Sequence, residues 1–134
     1  MKKTYLLLLP ICILILTACS VRKADDKKLR DIEFTVIDKD DVPEEFMAQI
    51  EEAKEGQVKL SYGDKGYLYI ARGYGQKETS GYSVEVHKCY ETENEIHIET
   101  GLLGPGKEEK ILKKKTCPYV VIKTEYTDKQ IEFD

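Results

Sequence analysis

Apolar and polar residues alternate with a period of two along most of the chain after residue 31, which predicts short β-strands. The first such run contains Ile32, Phe34 and Val36. Later runs lie at 58–62, 67–71, 82–86, 96–98, 119–123 and 130–133. Polar and glycine-containing turns separate them, for example Gly63-Asp-Lys-Gly66 and Glu91 to Asn94. Short strands at close spacing predict a mainly β fold, either a β-sandwich or an open barrel of mostly antiparallel strands.

One segment, residues 43–55, has the 3.6-residue period of an amphipathic α-helix instead. Pro43 suits its first turn and Asp41 is predicted to cap it, while Gly56 ends it. Its apolar stripe consists of Phe46, Met47, Ile50 and Ala53. We therefore expect a single helix that covers one face or edge of the β structure.

The N-terminus carries a different pattern. Lys2 and Lys3 precede an apolar run that begins at Tyr5 and ends in Leu16-Thr-Ala-Cys19. This ending resembles a bacterial lipobox, in which cleavage leaves a lipid-modified cysteine as the new N-terminus. An uncleaved membrane anchor, or a signal peptide cut elsewhere, is the alternative.

The lipobox divides the chain into a lipoprotein signal peptide at 1–18, a charged tether at 19–31 and one domain at 32–134. Acyl chains on Cys19 would hold the domain on the extracytoplasmic face of the cell membrane. Loss of Lys2 and Lys3 with the signal peptide changes the formal net charge from −4 to −6. This acidic balance argues against nucleic acid as a partner and against a polybasic lipid contact.

Of the four cysteines, two are left in the mature protein without a lipid modification, because Cys12 is removed with the signal peptide and Cys19 is lipid-modified. Cys89 and Cys117 remain. Outside the cytoplasm they form either a disulfide or two free thiols buried as small apolar side chains. The absence of a CxxC pattern argues against thiol catalysis.

Motifs for catalysis, metal binding or cofactor binding are lacking in the sequence. His87 and His97 are predicted on the solvent face of neighbouring strands, where they could face each other without a third ligand. We therefore predict no metal, no cofactor and no enzymatic activity.

A glycine-punctuated loop between two strands is the most distinctive segment. It contains Gly73, Tyr74, Gly75, Thr79, Gly81 and Tyr82. Gly104, Pro105, Pro118 and Tyr119 complete the candidate binding residues. Such residues on a β scaffold favour a recognition surface, because tyrosine offers a large contact area at a low entropy cost. The alternative is that the glycines only make turns and the tyrosines fill the core.

Four motifs carry a resemblance to a known family. They are Gly73-Tyr-Gly-x3-Thr-x-Gly-Tyr-Ser83, Tyr90-Glu-Thr-x-Asn94, Leu102-x-Gly-Pro105 and Cys117-Pro-Tyr-Val-Val-Ile-Lys123. Together they resemble the C-terminal domain of the PrcB family, over residues 36–133. The chain has Glu78 and Ser80 where the family loop usually has proline and glycine.

PrcB proteins are lipoprotein subunits of a bacterial surface protease complex. The resemblance implies a non-catalytic subunit that binds or stabilises a protease or another protein of the cell envelope. One alternative is a protease inhibitor, because Thr79-x-Gly-Tyr82 is similar to a loop of the chagasin-type inhibitors. Another is a structural or solute-binding envelope lipoprotein.

Overall fold

The computed structural model describes residues 27–134. The predicted signal peptide, Cys19 and residues 19–26 of the predicted tether lie outside the described residues and stay predictions. Within the part of the chain that is described, no helix has both the length and the hydropathy of a membrane-spanning segment.

Strands dominate the described residues, and one α-helix accompanies them. The strands are β1 (Arg30–Asp31), β2 (Thr35–Ile37), β3 (Gln57–Asp64), β4 (Tyr67–Tyr74), β5 (Ser83–Glu91), β6 (Glu95–Leu103), β7 (Tyr119–Glu125) and β8 (Gln130–Phe133). Helix α1 covers Glu44–Ala53 and follows a 3₁₀ turn at Lys39–Asp41. The prediction of a mainly β fold with one helix is confirmed.

The strands form two four-stranded sheets. Sheet A has the order β1-β5-β6-β8 and sheet B the order β2-β7-β4-β3. Strand β8 runs parallel to β6, and the other pairs are antiparallel. Apolar side chains from both sheets form a shared core of Leu68, Ile70, Cys89, Ile96, Ile98 and Ile122. The fold is therefore a β-sandwich rather than a barrel.

Helix α1 covers the other face of sheet B. Its buried Phe46 and Ile50 belong to a second core that also contains Val42, Val58, Tyr69, Ala71 and Val121. Successive side chains of a strand point to opposite faces, so β4 contributes alternately to the two cores. Strand β4 is thus the central, doubly covered strand of a helix–sheet–sheet arrangement, and the predicted apolar stripe of the helix is confirmed.

Strands β3 and β4 form a hairpin around the predicted turn at residues 63–66. Lys65 and Gly66 connect them, with φ values of 50° and 84°. Two consecutive residues with positive φ make a tight turn whose twist matches that of the strands. The full pairing runs from Gln57 opposite Tyr74 to Asp64 opposite Tyr67.

Two local predictions were wrong. Ile32 and Phe34 do not lie in a strand, because the chain crosses there from β1 in sheet A to β2 in sheet B. Both side chains pack against the core between the sheets, whereas Val36 is 56% exposed on the edge strand β2. Asp41 does not cap α1, because it lies in the 3₁₀ turn and Pro43 takes the N-cap position.

Candidate functional site

Two long connections lie side by side at one end of the sandwich. Residues 75–82 join β4 to β5, and residues 104–118 join β6 to β7. Gly73 pairs with Tyr119 across β4 and β7, which brings the ends of these connections together. We call the two connections the loop pair. Every predicted binding residue from Gly73 to Tyr119 lies in the loop pair or at the strand ends next to it.

Hydrogen bonds join the two connections into one unit. The backbones of Lys77 and Thr116 exchange two hydrogen bonds, of 2.7 and 3.0 Å. Ser80 and Leu112 form two further hydrogen bonds. The Ser80 amide donates to the Leu112 carbonyl (3.0 Å), and the Leu112 amide donates to the Ser80 hydroxyl (2.9 Å). The Thr116 hydroxyl donates to the Thr79 carbonyl at 2.7 Å. Because Thr79 and Ser80 are bonded to the neighbouring connection, this part of the loop is held in place by long-range contacts.

Glycine is required at Gly81, where the two connections touch. Its φ is +94°, a backbone conformation that residues other than glycine rarely adopt. A Cβ at this position would lie 2.6 Å from the Pro105 Cβ atom. Gly75, with a φ of +83°, lies in the same way against the Glu55 carbonyl. These glycines allow the loop pair to pack closely against itself and against the chain after α1.

Tyr74 and Gly73 have structural roles at the end of β4. The Tyr74 hydroxyl lies 2.6 Å from the Thr100 hydroxyl in β6 and so connects the two sheets. The buried Arg72 guanidinium lies 3.9 Å from the centre of the Tyr74 ring. Gly73 lies close to Val58 and Tyr119, with little space for a side chain. For these residues, the interpretation as turn and core positions fits better than a binding role.

Tyr82, Pro118 and Tyr119 are different, because they line an open groove beside the loop pair. The groove has a volume of about 620 Å³. Its other lining residues include Lys39, Lys54, Glu55, Gln76, Lys114, Lys115, Thr116 and Cys117. We call it the basic groove. A smaller groove of about 320 Å³ adjoins it and shares Tyr82, Pro118 and Tyr119.

Four lysines and one carboxylate give the basic groove its charge. Lys54 forms an ion pair with Glu51 at 2.6 Å, and this hydrogen bond raises the pKa of Lys54. The Lys39 ammonium lies 5.3 Å from the centre of the Tyr119 ring, within range of a cation–π interaction. Burial raises the pKa of Tyr119, whose hydroxyl donates to the Met47 sulfur at 3.6 Å. Tyr119 is therefore neutral at physiological pH and forms a fixed wall of the groove.

The sequence analysis missed the lysines of the groove. Lys39 precedes α1, Lys54 follows it, and Lys114 and Lys115 lie in the second connection of the loop pair. The lysine-rich segment at 107–115 is the only sequence signal that pointed to them. The acidic net charge of the whole chain concealed this local excess of positive charge.

Of the two alternatives for the cysteines, the structure has free thiols at both Cys89 and Cys117, with Cys89 buried and Cys117 half-buried. Cys89 is 4% exposed in the core between the sheets, together with Ile122. Cys117 precedes Ile122 by five positions, about 15 Å along an extended chain, which is too far for an S–S bond. Burial raises the pKa of Cys89 to about 11.

The histidines do not face each other, contrary to the prediction. A β-bulge between Val86 and Lys88 shifts the register, so that His97 lies opposite Tyr90. His97 is 7% exposed and stacks on the Tyr90 ring at 4.8 Å, with Asp134 3.1 Å from its Nδ1. Strand β8, parallel to β6, brings the Asp134 carboxylate there. Among residues 27–134, no three histidine, cysteine, aspartate or glutamate side chains are grouped as metal ligands.

Comparison with known proteins gives one family match. The family model described as PrcB C-terminal matches residues 68–125, from β4 to the end of β7. The predicted resemblance to the PrcB family is confirmed over this segment. The match contains the whole loop pair, whereas α1 and β3 precede it. No curated protein and no solved structure gives a significant match to the chain.

Proposed function

We propose that this protein is a membrane-anchored, non-catalytic subunit that binds and stabilises a protease or another extracytoplasmic protein. The match of residues 68–125 to the PrcB C-terminal family supports association with a protease complex. In this proposal, lipid-modified Cys19 holds the protein on the extracytoplasmic face of the cell membrane. The partner contacts the end of the sandwich that carries the loop pair.

The loop pair is the observation that supports this proposal most directly. It joins residues 75–82 and 104–118 by hydrogen bonds, so its surface is largely formed before a partner binds. A preformed surface binds more tightly because little conformational entropy is lost on association. Tyr82 and Tyr119 offer half-buried rings with polar tips beside it, a combination common in protein interfaces.

Direct protease inhibition is a weaker alternative. A chagasin-type mechanism would use the loop at Thr79 to Tyr82 as an inserting tip. Here the Thr79 carbonyl accepts a hydrogen bond from Thr116, and Ser80 is bonded to Leu112, so this segment lies along the neighbouring connection. This geometry favours a surface that docks against a partner over a loop that enters an active site.

The test is affinity capture of the full-length, cross-linked protein from intact membranes, followed by mass spectrometry. The native chain is compared with Tyr82→Ala, which alters the loop pair, and with Tyr126→Ala, a matched control. Tyr126 is 54% exposed at the opposite end of the sandwich, beside Gly63 and Gly66.

We expect the native chain and Tyr126→Ala to capture the same extracytoplasmic protein, and Tyr82→Ala to lose it while its thermal unfolding stays cooperative. If a folded native bait captures no protein, the proposal is wrong and a structural or solute-binding role gains support. If all three baits capture the partner equally, the binding surface lies elsewhere than at the loop pair.

A further inference from the structure

The basic groove has a charge opposite to that of the chain as a whole. The chain has a formal net charge of −4, yet Lys39, Lys54, Lys114 and Lys115 line the groove with Glu55 as the one acidic lining residue. These lysines come from three separate parts of the chain, which the fold brings together. Like charges gathered in a concave site repel one another, and an anionic ligand relieves that repulsion.

We propose that the basic groove binds an acidic, extended segment of the partner protein. This inference rests on the proposed function and names the chemistry of its partner. Carboxylates of the segment would pair with the ammonium groups of Lys39, Lys114 and Lys115, since Lys54 is already paired with Glu51. The backbone or apolar side chains of the segment would lie on the rings of Tyr82 and Tyr119.

The shape of the site suits a peptide. A volume of about 620 Å³ is within the range of pockets that enclose a ligand. The smaller adjoining groove of about 320 Å³ shares Tyr82, Pro118 and Tyr119 and lengthens the site. Together the two adjoining grooves have room for several residues of an extended chain, which is more than a single small anion would fill.

The position of the groove favours a protein over a lipid surface. Strand β5 begins at Ser83, next to the loop pair, and ends at Glu91, which pairs with Arg30 near the start of the described chain. At ~3.3 Å per residue, these ends lie roughly 30 Å apart. The described chain therefore begins near the end opposite to the groove, which favours a protein over a lipid surface as the occupant of the groove.

The test measures binding of a fluorescent hexaglutamate peptide to the full-length protein in neutral detergent, by fluorescence polarisation. Lys114→Gln/Lys115→Gln removes two charges from the groove. Lys110→Gln/Lys113→Gln removes two charges from the same exposed connection outside the groove lining and is the matched control. Each measurement is made at about 20 mM and about 500 mM salt, because screening distinguishes ionic binding from apolar binding.

We expect Lys114→Gln/Lys115→Gln to weaken binding about tenfold, the control to change it less than about twofold, and high salt to abolish the difference. Equal loss in both variants would overturn the proposal, since only the total charge of the connection would then matter. Failure of the peptide to bind the native chain at low salt would also overturn it. So would binding to phosphatidylglycerol vesicles or inorganic phosphate without binding to the peptide.

The same variants separate this inference from the proposed function. If Lys114→Gln/Lys115→Gln captures the partner as well as the native chain does, the proposed function is supported and the proposal that the groove binds an acidic segment is wrong. If the peptide binds with the expected dependence on the groove lysines but no protein is captured, the groove chemistry stands and the proposed function is wrong.

Discussion

The two ends of the sandwich are built differently. The end opposite to the loop pair, which we call the turn end, closes with tight turns at Lys65–Gly66 and at 92–94. There the Thr92 hydroxyl accepts a hydrogen bond from the Glu95 amide within the turn itself. The loop pair contains a local turn as well, from the Glu109 amide to the Gly106 carbonyl (3.1 Å), but contacts between 75–82 and 104–118 hold its two connections together. Short turns therefore connect the strands at one end, whereas two long connections bonded to each other form the other.

The ends also differ in how their charges are compensated. At the turn end, a shallow cleft of about 1680 Å³ is lined by charges of both signs, namely Arg30, Lys65, Lys123, Asp31, Glu33, Asp41, Glu91 and Glu125. Glu91 accepts hydrogen bonds from Arg30 (2.6 Å) and Lys129 (2.9 Å). The basic groove has four lysines and one carboxylate. Charges at the turn end pair with one another, whereas in the groove Lys54 is paired with Glu51 and the other three lysines are in excess over the single lining carboxylate.

Thiol alkylation gives the largest expected contrast between a loop-pair residue and a core residue. Cys117 is half-buried in the basic groove, whereas Cys89 is 4% exposed and burial raises its pKa to about 11. Alkylation needs an accessible thiolate, so we expect Cys89 to react about a thousandfold more slowly than Cys117 in the native protein.

Peptide mass spectrometry of iodoacetamide-treated protein measures both rates. Addition of urea should equalise them, which serves as the control. Protection of both cysteines until a reductant is added would indicate a disulfide and contradict the structure.

Gly81→Ala should produce the largest loss of stability at the loop pair. A side chain there must adopt a φ of +94° and would approach the Pro105 Cβ atom to 2.6 Å. We expect a loss of about 3 kcal/mol in the free energy of unfolding, measured by urea denaturation. Gly106→Ala is the control, because a Cβ there meets no atom within 4 Å. Equal stability of the two variants would show that the connections do not pack as described.

Glu91→Gln tests the ion network of the turn end. Hydrogen bonds from Lys129 and Arg30 lower the pKa of Glu91 below its ordinary value of 4.5. A lowered folded-state pKa means that the stabilisation is complete above pH 4.5 and is lost as the pH falls through the folded-state value. We expect a loss of about 1.5 kcal/mol at pH 7 that shrinks in acid, as measured by denaturation at several pH values.

Glu93→Gln provides the matched control for the turn end, since Glu93 is exposed on the same turn. It should change stability by less than about 0.5 kcal/mol at either pH. A loss for Glu91→Gln that does not depend on pH would argue against an ionic origin.

Tyr74→Phe should have the smallest effect, because it removes one hydrogen bond next to the loop pair. The Tyr74 hydroxyl lies 2.6 Å from the Thr100 hydroxyl. We expect a loss of about 1 kcal/mol in the free energy of unfolding. The double variant with Thr100→Val should lose less stability than the sum of the losses of the two single variants, and a coupling energy of zero in this cycle would contradict the hydrogen bond.

Much of the fold was predictable from the sequence because the signals are local. The period of two marked the later strands, and the stripe from Phe46 to Ala53 marked the helix. The failures have long-range causes. Ile32 and Phe34 lie where the chain crosses between sheets, and His97 is buried because β8 returns beside β6. Neither the crossing nor the return can be predicted from the local pattern of apolar and polar residues.

For the candidate site, the sequence by itself determined the types of residue that would line it. The sequence supplies glycine at Gly81 and aromatic rings at Tyr82 and Tyr119. The resemblance to the PrcB family was also recognisable from these motifs, and the match at residues 68–125 confirms it over that segment. These features depend on neighbouring residues and on the chemistry of single side chains.

Only the tertiary structure decided which of these residues share a surface. It joined Tyr74 to Thr100 across the two sheets and bonded Thr79 into the loop pair. It also brought Lys39 and Lys54 to the same groove as Lys114 and Lys115. Such neighbours are far apart along the chain, and strand pairing sets their distance in space. Charge in a groove is therefore a property of the assembled sheets and helix, whereas net charge is a property of the sequence.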